Sequence, residues 1–341
     1  MSIFYKAGGD FDKAIEELVQ QRGGAENSFL FQEMMVTALK LIDEKAERGD
    51  LKVINTALKE LRYAFKVFTP YRHIYKVSVF GSARSSRTSK EYQMARLFAK
   101  TIAKKHWMVI TGAASGVMEA ANAGAGRGKS FGINIRLPHE QEANPFIRED
   151  KKLINLKYFF TRKLIFIRES HAITLFPGGF GTHDEGFEAL TLVQTGKAQP
   201  MPIVMVDHPK KPYWREWLKF IRKCVYGNHY ISEEDLDLFK ITTDIDEAVE
   251  EIIRFYSNYH SSRYVGDMFV IRAFRVTPKM VDGLNDKFQD VLNSKGRFEA
   301  VKAFPEEAYE GKDMDLPRIA FPFNRKSYGR IRQIINHINR F

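Results

Sequence analysis

The sequence predicts an α/β protein: a parallel β-sheet covered by helices on both faces, with a helical lobe before it and a small α+β region after it. Three observations predict this. Between about residues 73 and 258, short apolar runs alternate with stretches of helical periodicity, the pattern of strand, crossover helix and strand. From about Asn27 to Phe68 the apolar spacing is helical, and after about Ser261 strand-like and helix-like segments alternate on a smaller scale. The expected divisions are a helical lobe over 1–72, an α/β domain over 73–258 and an α+β domain over 259–341.

In the first region, Val36, Leu39 and Ile42 form one helical stripe and Leu58, Leu61 and Phe65 another. Gly49-Asp50 interrupts the pattern, which predicts two helices joined there by a turn, and Pro70 closes the lobe. The strands expected next are Lys76–Phe80, Trp107–Thr111, Ser130–Ile135, Ala172–Phe176 and Met201–Val206. Between the first two, Glu91 to Lys105 carries Met94, Leu97, Phe98 and Ile102 on one helical stripe. In the last region, Met268–Phe274 and Ile319–Phe323 are expected as strands and Pro278–Leu292 and Ser327–Ile338 as helices. Ile331, Ile334, Ile335 and Ile338 line one side of the final helix, as expected of a packing face rather than a nucleic-acid-binding one.

The 341 residues are 44% hydrophobic and 28% charged, enough to build a core and too apolar for wholesale disorder. Fifty-three Lys and Arg against 42 Asp and Glu leave a net charge of +11, which favours anionic ligands without naming their class. The single cysteine, Cys224, excludes an intramolecular disulfide and a multi-cysteine zinc site. Acidic residues in the opening segment argue against a secretory signal, and no apolar run approaches the ~18 residues of a membrane span. A soluble, cytoplasmic protein is expected.

In an open α/β sheet, ligands bind beyond the carboxyl ends of the strands. Three turns fall there. Phe80-Gly81-Ser82-Ala83-Arg84 brings a hydroxyl and a cation. The second turn has Gly112 where a strand stops and Gly116 where a helix can begin. The third, Pro177-Gly178-Gly179-Phe180-Gly181-Thr182, combines three glycines, a hydroxyl and a helix start, the features of a phosphate-binding turn. None is G-x-G-x-x-G and none ends in G-K-[ST], so a dinucleotide site or a P-loop NTPase is disfavoured.

Glu185 follows Thr182 by three residues. That spacing fits a capping box, the commoner meaning of T-x-x-E, and equally a carboxylate beside a bound sugar phosphate. Asp184 and Glu188 are carboxylates near a helix start. Arg162 and Lys163 follow the aromatic run Tyr158-Phe159-Phe160, which suits partial burial against a ligand or a neighbouring subunit. His171 and His183 lack metal-ligand spacing. Residue chemistry alone thus reaches a phosphate-binding α/β protein and not a reaction.

The combination of Thr161-Arg162-Lys163 with PGGFGTHDE at Pro177–Glu185 resembles the LOG family, phosphoribohydrolases that activate cytokinins and bacterial nucleotide nucleosidases long described as possible lysine decarboxylases. The likeness extends through Phe80–Arg84, Thr111–Ala125, Ile133–Phe146 and Leu190–Lys197, and is similar to longer bacterial members with extra lobes at both ends. It implies a Rossmann-like fold, a homodimer with sites near the subunit interface, and hydrolysis of the N-glycosidic bond of a nucleoside 5′-monophosphate, AMP-like or a cytokinin ribotide. Arg162 and Glu185 match the family's catalytic pair, and Gly178, Gly179, Gly181 and Thr182 its phosphate turn. Ribose and base contacts are expected from Gly81, Ser82, Gly112, Met118, Glu119 and Lys163.

Two departures stand out. Ala113 and Ala114 occupy a turn that is glycine-richer in the family, which narrows its backbone freedom. His183 replaces a commoner leucine; it is expected to face solvent, the alternative being an influence on pH dependence. No metal or cofactor is expected. The rival reading is a non-hydrolytic nucleotide or molybdenum-cofactor binding protein on the same fold, which would not require Glu185. A pyridoxal-phosphate decarboxylase is disfavoured because no lysine is marked out for a Schiff base. Neither a nucleic-acid nor a membrane partner is expected.

Overall fold

The structure, a computed structural model, describes residues 10–23, 27–136, 142–293, 296–311 and 313–341. The chain divides into two compact units, one ending at Arg62 and the other running from Tyr63 to Phe341.

The first unit contains α1 (Asp10–Gln21), α2 (Ser28–Asp43) and most of α3 (Arg48–Phe68), which crosses the boundary. Ile15 and Val19 of α1 and Val36 of α2 are buried. The turn predicted at Gly49-Asp50 lies earlier, over 44–47, where Lys45 takes a left-handed conformation with φ 53°. Gly49 and Asp50 open α3 instead. A helix tolerates glycine in its first turn, and Asp50 there faces the positive end of the helix dipole.

The second unit holds a seven-stranded, all-parallel sheet in the order β4-β3-β2-β1-β5-β6-β7. Its strands are β1 (Lys76–Phe80), β2 (Met108–Thr111), β3 (Ser130–Ile135), β4 (Leu153–Leu156), β5 (Ala172–Leu175), β6 (Ile203–Val206) and β7 (Phe239–Thr242). The two edge strands escaped the sequence reading: Leu153–Leu156 and Phe239–Thr242 each place a strongly polar residue among their four, where the four-residue strands β5 and β6 are nearly all apolar. Alternation along the central strands sends Val77 and Val79 to one face, where they join α4 (Lys90–Lys104), α5 (Val117–Ala125) and α9 (Ile245–Phe255) in one core. Phe80 points to the other face and meets Phe166 of α6 (Phe159–Glu169) with ring centroids 4.7 Å apart. There Gly186 of α7 (Phe180–Gln194) packs so closely on Leu175 that a Cβ would lie 2.9 Å from Leu175 Cδ1. A further short helix, α8 (Trp214–Phe220), follows β6.

The remaining chain forms a four-stranded antiparallel sheet, β10-β11-β9-β8, from β8 (Tyr259–Val265), β9 (Met268–Ala273), β10 (Glu299–Val301) and β11 (Arg318–Phe321). Against it lie α10 (Pro278–Lys287), which stops short of the expected Leu292, and α11 (Tyr328–Ile338). Ile331, Ile334, Ile335 and Ile338 of α11 are all buried in its core. No described helix is long and apolar enough to cross a membrane.

The topology places the site. β1 has β2 on one side and β5 on the other, so the strand order reverses at β1/β5 and the loops leaving these two strands diverge. A crevice opens at such a switch point.

Candidate active site

Three loops at the carboxyl ends of the strands are tied together by their backbones. Ser82 N–H donates to Pro177 O at 3.0 Å, and Val117 N–H donates to Ser82 O at 3.0 Å. Such close approach needs small residues. A Cβ on Gly81 would lie 2.7 Å from Val117 Cγ1, and one on Gly116, whose φ is +66°, 2.3 Å from Ser82 O. The middle turn meets the same demand with Ala113, at φ 62°. Its amide takes a hydrogen bond to Thr111 Oγ1, and its carbonyl accepts from both the amide and the side chain of Asn144. These bonds hold an alanine where glycine would sit more easily. Part of the 133–146 motif, residues 137–141, lies outside the described residues.

Between the loops lies a cleft of about 760 Å³, lined by residues 80–84, Met118, Phe159, Arg162, residues 178–185 and Tyr213. Gly178 is the tight point of its floor: a Cβ there would sit 2.1 Å from Thr182 Oγ1 and 2.9 Å from Ser82 N. Gly179 and Gly181 have open space around them. Gly179 is the N-cap of α7, and no side chain caps that helix. Thr182 N–H is already paired with Gly179 O at 3.0 Å, whereas the amides of residues 179–181 precede any carbonyl of the helix, and the dipole adds positive potential there.

This start excludes the capping-box reading. Thr182 is the third residue of α7, not its cap, and Glu185 lies a turn deeper. Glu185 is 7% exposed and lines the cleft. Burial pushes its carboxyl up to about 7, against the pull of the Arg162 and Lys163 charges and with a further push from Glu188 and Asp184. Arg162 reaches the cleft from α6. Its Nε donates to Ile133 O at 3.0 Å, its guanidinium lies over the Phe166 ring at 5.3 Å, and Gly112 leaves it room, since a Cβ there would fall 2.3 Å from Arg162 Nη2. One buried acid and one half-buried cation therefore face a crevice bordered by the amides that begin α7.

Of the residues singled out in the sequence, Gly81, Ser82, Met118, Arg162, Gly178, Gly179, Gly181, Thr182 and Glu185 come together in this lining. Three do not. Gly112 lies behind Arg162. Glu119 accepts from Arg87 Nε at 2.7 Å and Tyr92 Oη at 3.0 Å, away from the cleft. Lys163 joins α6 to α7 through Asp184 at 2.8 Å and Glu188 at 3.1 Å, which also accounts for those two carboxylates. His183 does not simply face solvent. Its ring is half-buried against Phe187 and Trp214, with Nε2 2.6 Å from Tyr213 Oη, and burial lowers its pKa.

Tyr213 was missed. Its hydroxyl donates to Gly178 O, and it is carried by the loop after β6. The signal was Asp207, a carboxylate at a strand's carboxyl end followed by Pro209 and Pro212. Among the described residues no three His, Cys, Asp or Glu side chains gather as a metal ion would need.

Residues 114–252 match the family model described as possible lysine decarboxylase. The chain is 25% identical over 252 residues to the pyrimidine/purine nucleotide 5′-monophosphate nucleosidase of Escherichia coli K12, an alignment covering 68% of this chain and 51% of that protein. It thus spans about half the length of the curated relatives it matches. Among solved structures it is similar to a molybdenum cofactor carrier protein from Chlamydomonas reinhardtii, at 23% identity and TM-score 0.38 over 53% of this chain and 97% of that one. A molybdenum cofactor binding protein from Rippkaea orientalis is similar at 20% identity and TM-score 0.37, over 53% and 94%.

A parallel sheet wound on both sides of a switch point defines the class, a Rossmann-like α/β protein. Within that class, residues 114–252 are similar to the family described as possible lysine decarboxylase, in keeping with the resemblance to the LOG family that the motifs carry.

Proposed function

We propose that the protein hydrolyses the N-glycosidic bond of nucleoside 5′-monophosphates, releasing the free base and ribose 5-phosphate. One observation carries this reading: the buried carboxyl of Glu185 stands beside the amides that begin α7, with the half-buried Arg162 in the same cleft. The nucleosidase named among the relatives supports the same substrate class.

In this mechanism the amides at 179–181 hold the 5′-phosphate, so binding energy remote from the reacting bond orients the sugar. Ionised Glu185 offsets the positive charge that develops on the ribosyl ring and takes a proton from the attacking water. The C1′–N bond breaks as the water oxygen bonds to C1′; the base leaves with the bonding pair and takes a proton from solvent, and the proton held by Glu185 returns to solvent. Arg162 keeps a share of Glu185 ionised against the effect of burial, and orients the substrate.

The functional form is proposed to be a cytoplasmic homodimer. Phe159 and Phe180 at the cleft and Phe160 and Leu164 on α6 are exposed, with Phe180 95% so, a cluster of apolar side chains suited to a second copy. The test is base release from AMP, GMP, CMP and cytokinin ribotides by the purified protein. Release from at least one is expected. Release from none, with tight nucleotide binding retained, overturns hydrolysis in favour of a binding protein.

A further inference from the structure

The loop after β6 is built around one buried carboxylate. Asp207 is 1% exposed, and its own amide donates to Thr242 O at 2.8 Å. Its carboxylate accepts from the amides of His208 (3.0 Å), Tyr213 (2.7 Å), Trp214 (3.3 Å) and Arg215 (3.2 Å), and from Arg215 Nε (3.0 Å). Burial alone would raise the pKa of such a group; these donors outweigh it and hold Asp207 below the usual carboxylate range. Asp207 thereby fixes the backbone of Tyr213 at the edge of the cleft.

The Tyr213 side chain then spans to the glycine turn. A tyrosine hydroxyl has one proton, and the Gly178 carbonyl can only accept, so that proton goes to Gly178 O. The 2.6 Å contact with His183 therefore requires His183 to donate from Nε2. The neighbouring carbonyl, Pro177 O, is already held by Ser82 N–H. With the carbonyls of 177 and 178 both tied back, the peptide planes that carry the amides of Gly178 and Gly179 are fixed in orientation. Gly178 lacks a Cβ to restrain its own dihedrals, so the restraint comes from these two bonds.

We infer that Tyr213, oriented by His183, is a positioning residue that fixes the phosphate-binding turn and makes the site select phosphomonoesters over the corresponding nucleosides. The inference rests on the phosphate assignment made above, and it reaches beyond the residues of the turn itself. Tyr213 acts through the Gly178 carbonyl, and His183 acts through the Tyr213 hydroxyl.

The test compares wild type with Tyr213→Phe, His183→Leu, His183→Gln and the Tyr213→Phe/His183→Leu pair. Calorimetry with ribose 5-phosphate, AMP and adenosine is set beside kcat and KM for AMP. Tyr213→Phe is expected to weaken ribose 5-phosphate and AMP about five- to tenfold and to raise KM more than it lowers kcat, with adenosine binding and the melting temperature unchanged. His183→Leu is expected to have a smaller effect in the same sense. His183→Gln keeps a side-chain N–H donor and is expected to restore affinity, and the double variant should be no worse than Tyr213→Phe.

Equal weakening of adenosine and AMP, or no weakening at all, overturns the inference. If wild type binds ribose 5-phosphate but releases no base, the hydrolytic reading falls and the affinity comparison still decides the role of Tyr213. If wild type binds no phosphate ligand, both fall.

Discussion

Glu185 is stabilised in its neutral form by the fold and is required in its charged form by the proposed chemistry. Its folded pKa, about 7, lies above the ordinary 4.5, so the native state binds the extra proton. Stability contributed at this position therefore declines as pH rises from about 4.5 to 7 and stays low above that. Glu185→Gln is expected to abolish base release and, at pH 8, to raise the melting temperature, with the gain fading toward pH 5. A capping glutamate would instead lose about 0.5–2 kcal/mol on substitution, so thermal denaturation at the two pH values separates the roles. In wild type, kcat/KM is expected to rise through pH 7 as Glu185 ionises, and a profile flat from pH 6 to 8 would contradict the assignment. The sequence showed that a carboxylate stands at this position. Its burial was not legible, because burial depends on where α6 brings Arg162 and where α7 begins.

At the scale of elements, the site depends on how loops end strands. The glycine turn after β5 was legible because three glycines, a hydroxyl and a helix start are local features. The β6–α8 loop was not, because its part in the site comes from parallel pairing with β5; Asp207 and the two prolines after it mark a loop at a strand's end but not that Tyr213 reaches Gly178. Asp207→Asn is expected to destabilise the protein by about 2–3 kcal/mol and to weaken nucleotide binding as Tyr213 loses its anchor, measured by denaturant unfolding and calorimetry. The shifted turn before α3 teaches the same point from the other side. A Gly-Asp pair marks a break in periodicity, yet it serves a helix start as well as a turn, and only packing decides between them.

Across the whole molecule, charge is placed as carefully as apolar surface. Between β10 and β11, Glu307 is fully buried and accepts from Arg272 Nη2 of β9 at 2.6 Å and Arg318 Nε of β11 at 2.8 Å. Burial would push its carboxyl up; the two guanidinium groups outweigh this and bring it down to about 2. The stability this cluster contributes is present above pH 4.5 and is lost as pH falls from there toward 2. Glu307→Gln, which leaves Arg318 buried without a counter-charge, is expected to cost about 3–5 kcal/mol in urea unfolding at pH 7. The exposed apolar residues on α6 make a second expectation at this scale. If they cover one another in a homodimer, Phe160→Glu with Leu164→Glu yields a monomer in sedimentation experiments, whereas an unchanged sedimentation coefficient refutes that interface.

By itself, the sequence determined the class of fold, the order of its central strands and helices along the chain, and the glycine turn, because periodicity and backbone freedom are properties of neighbouring residues. Tertiary structure decided the rest: which strands lie side by side, that Glu185 is buried beside Arg162 rather than capping a helix, and that Tyr213 reaches Gly178. Each of these depends on the distance and desolvation between segments far apart in the chain, and those quantities exist only once the sheet has closed its hydrogen bonds.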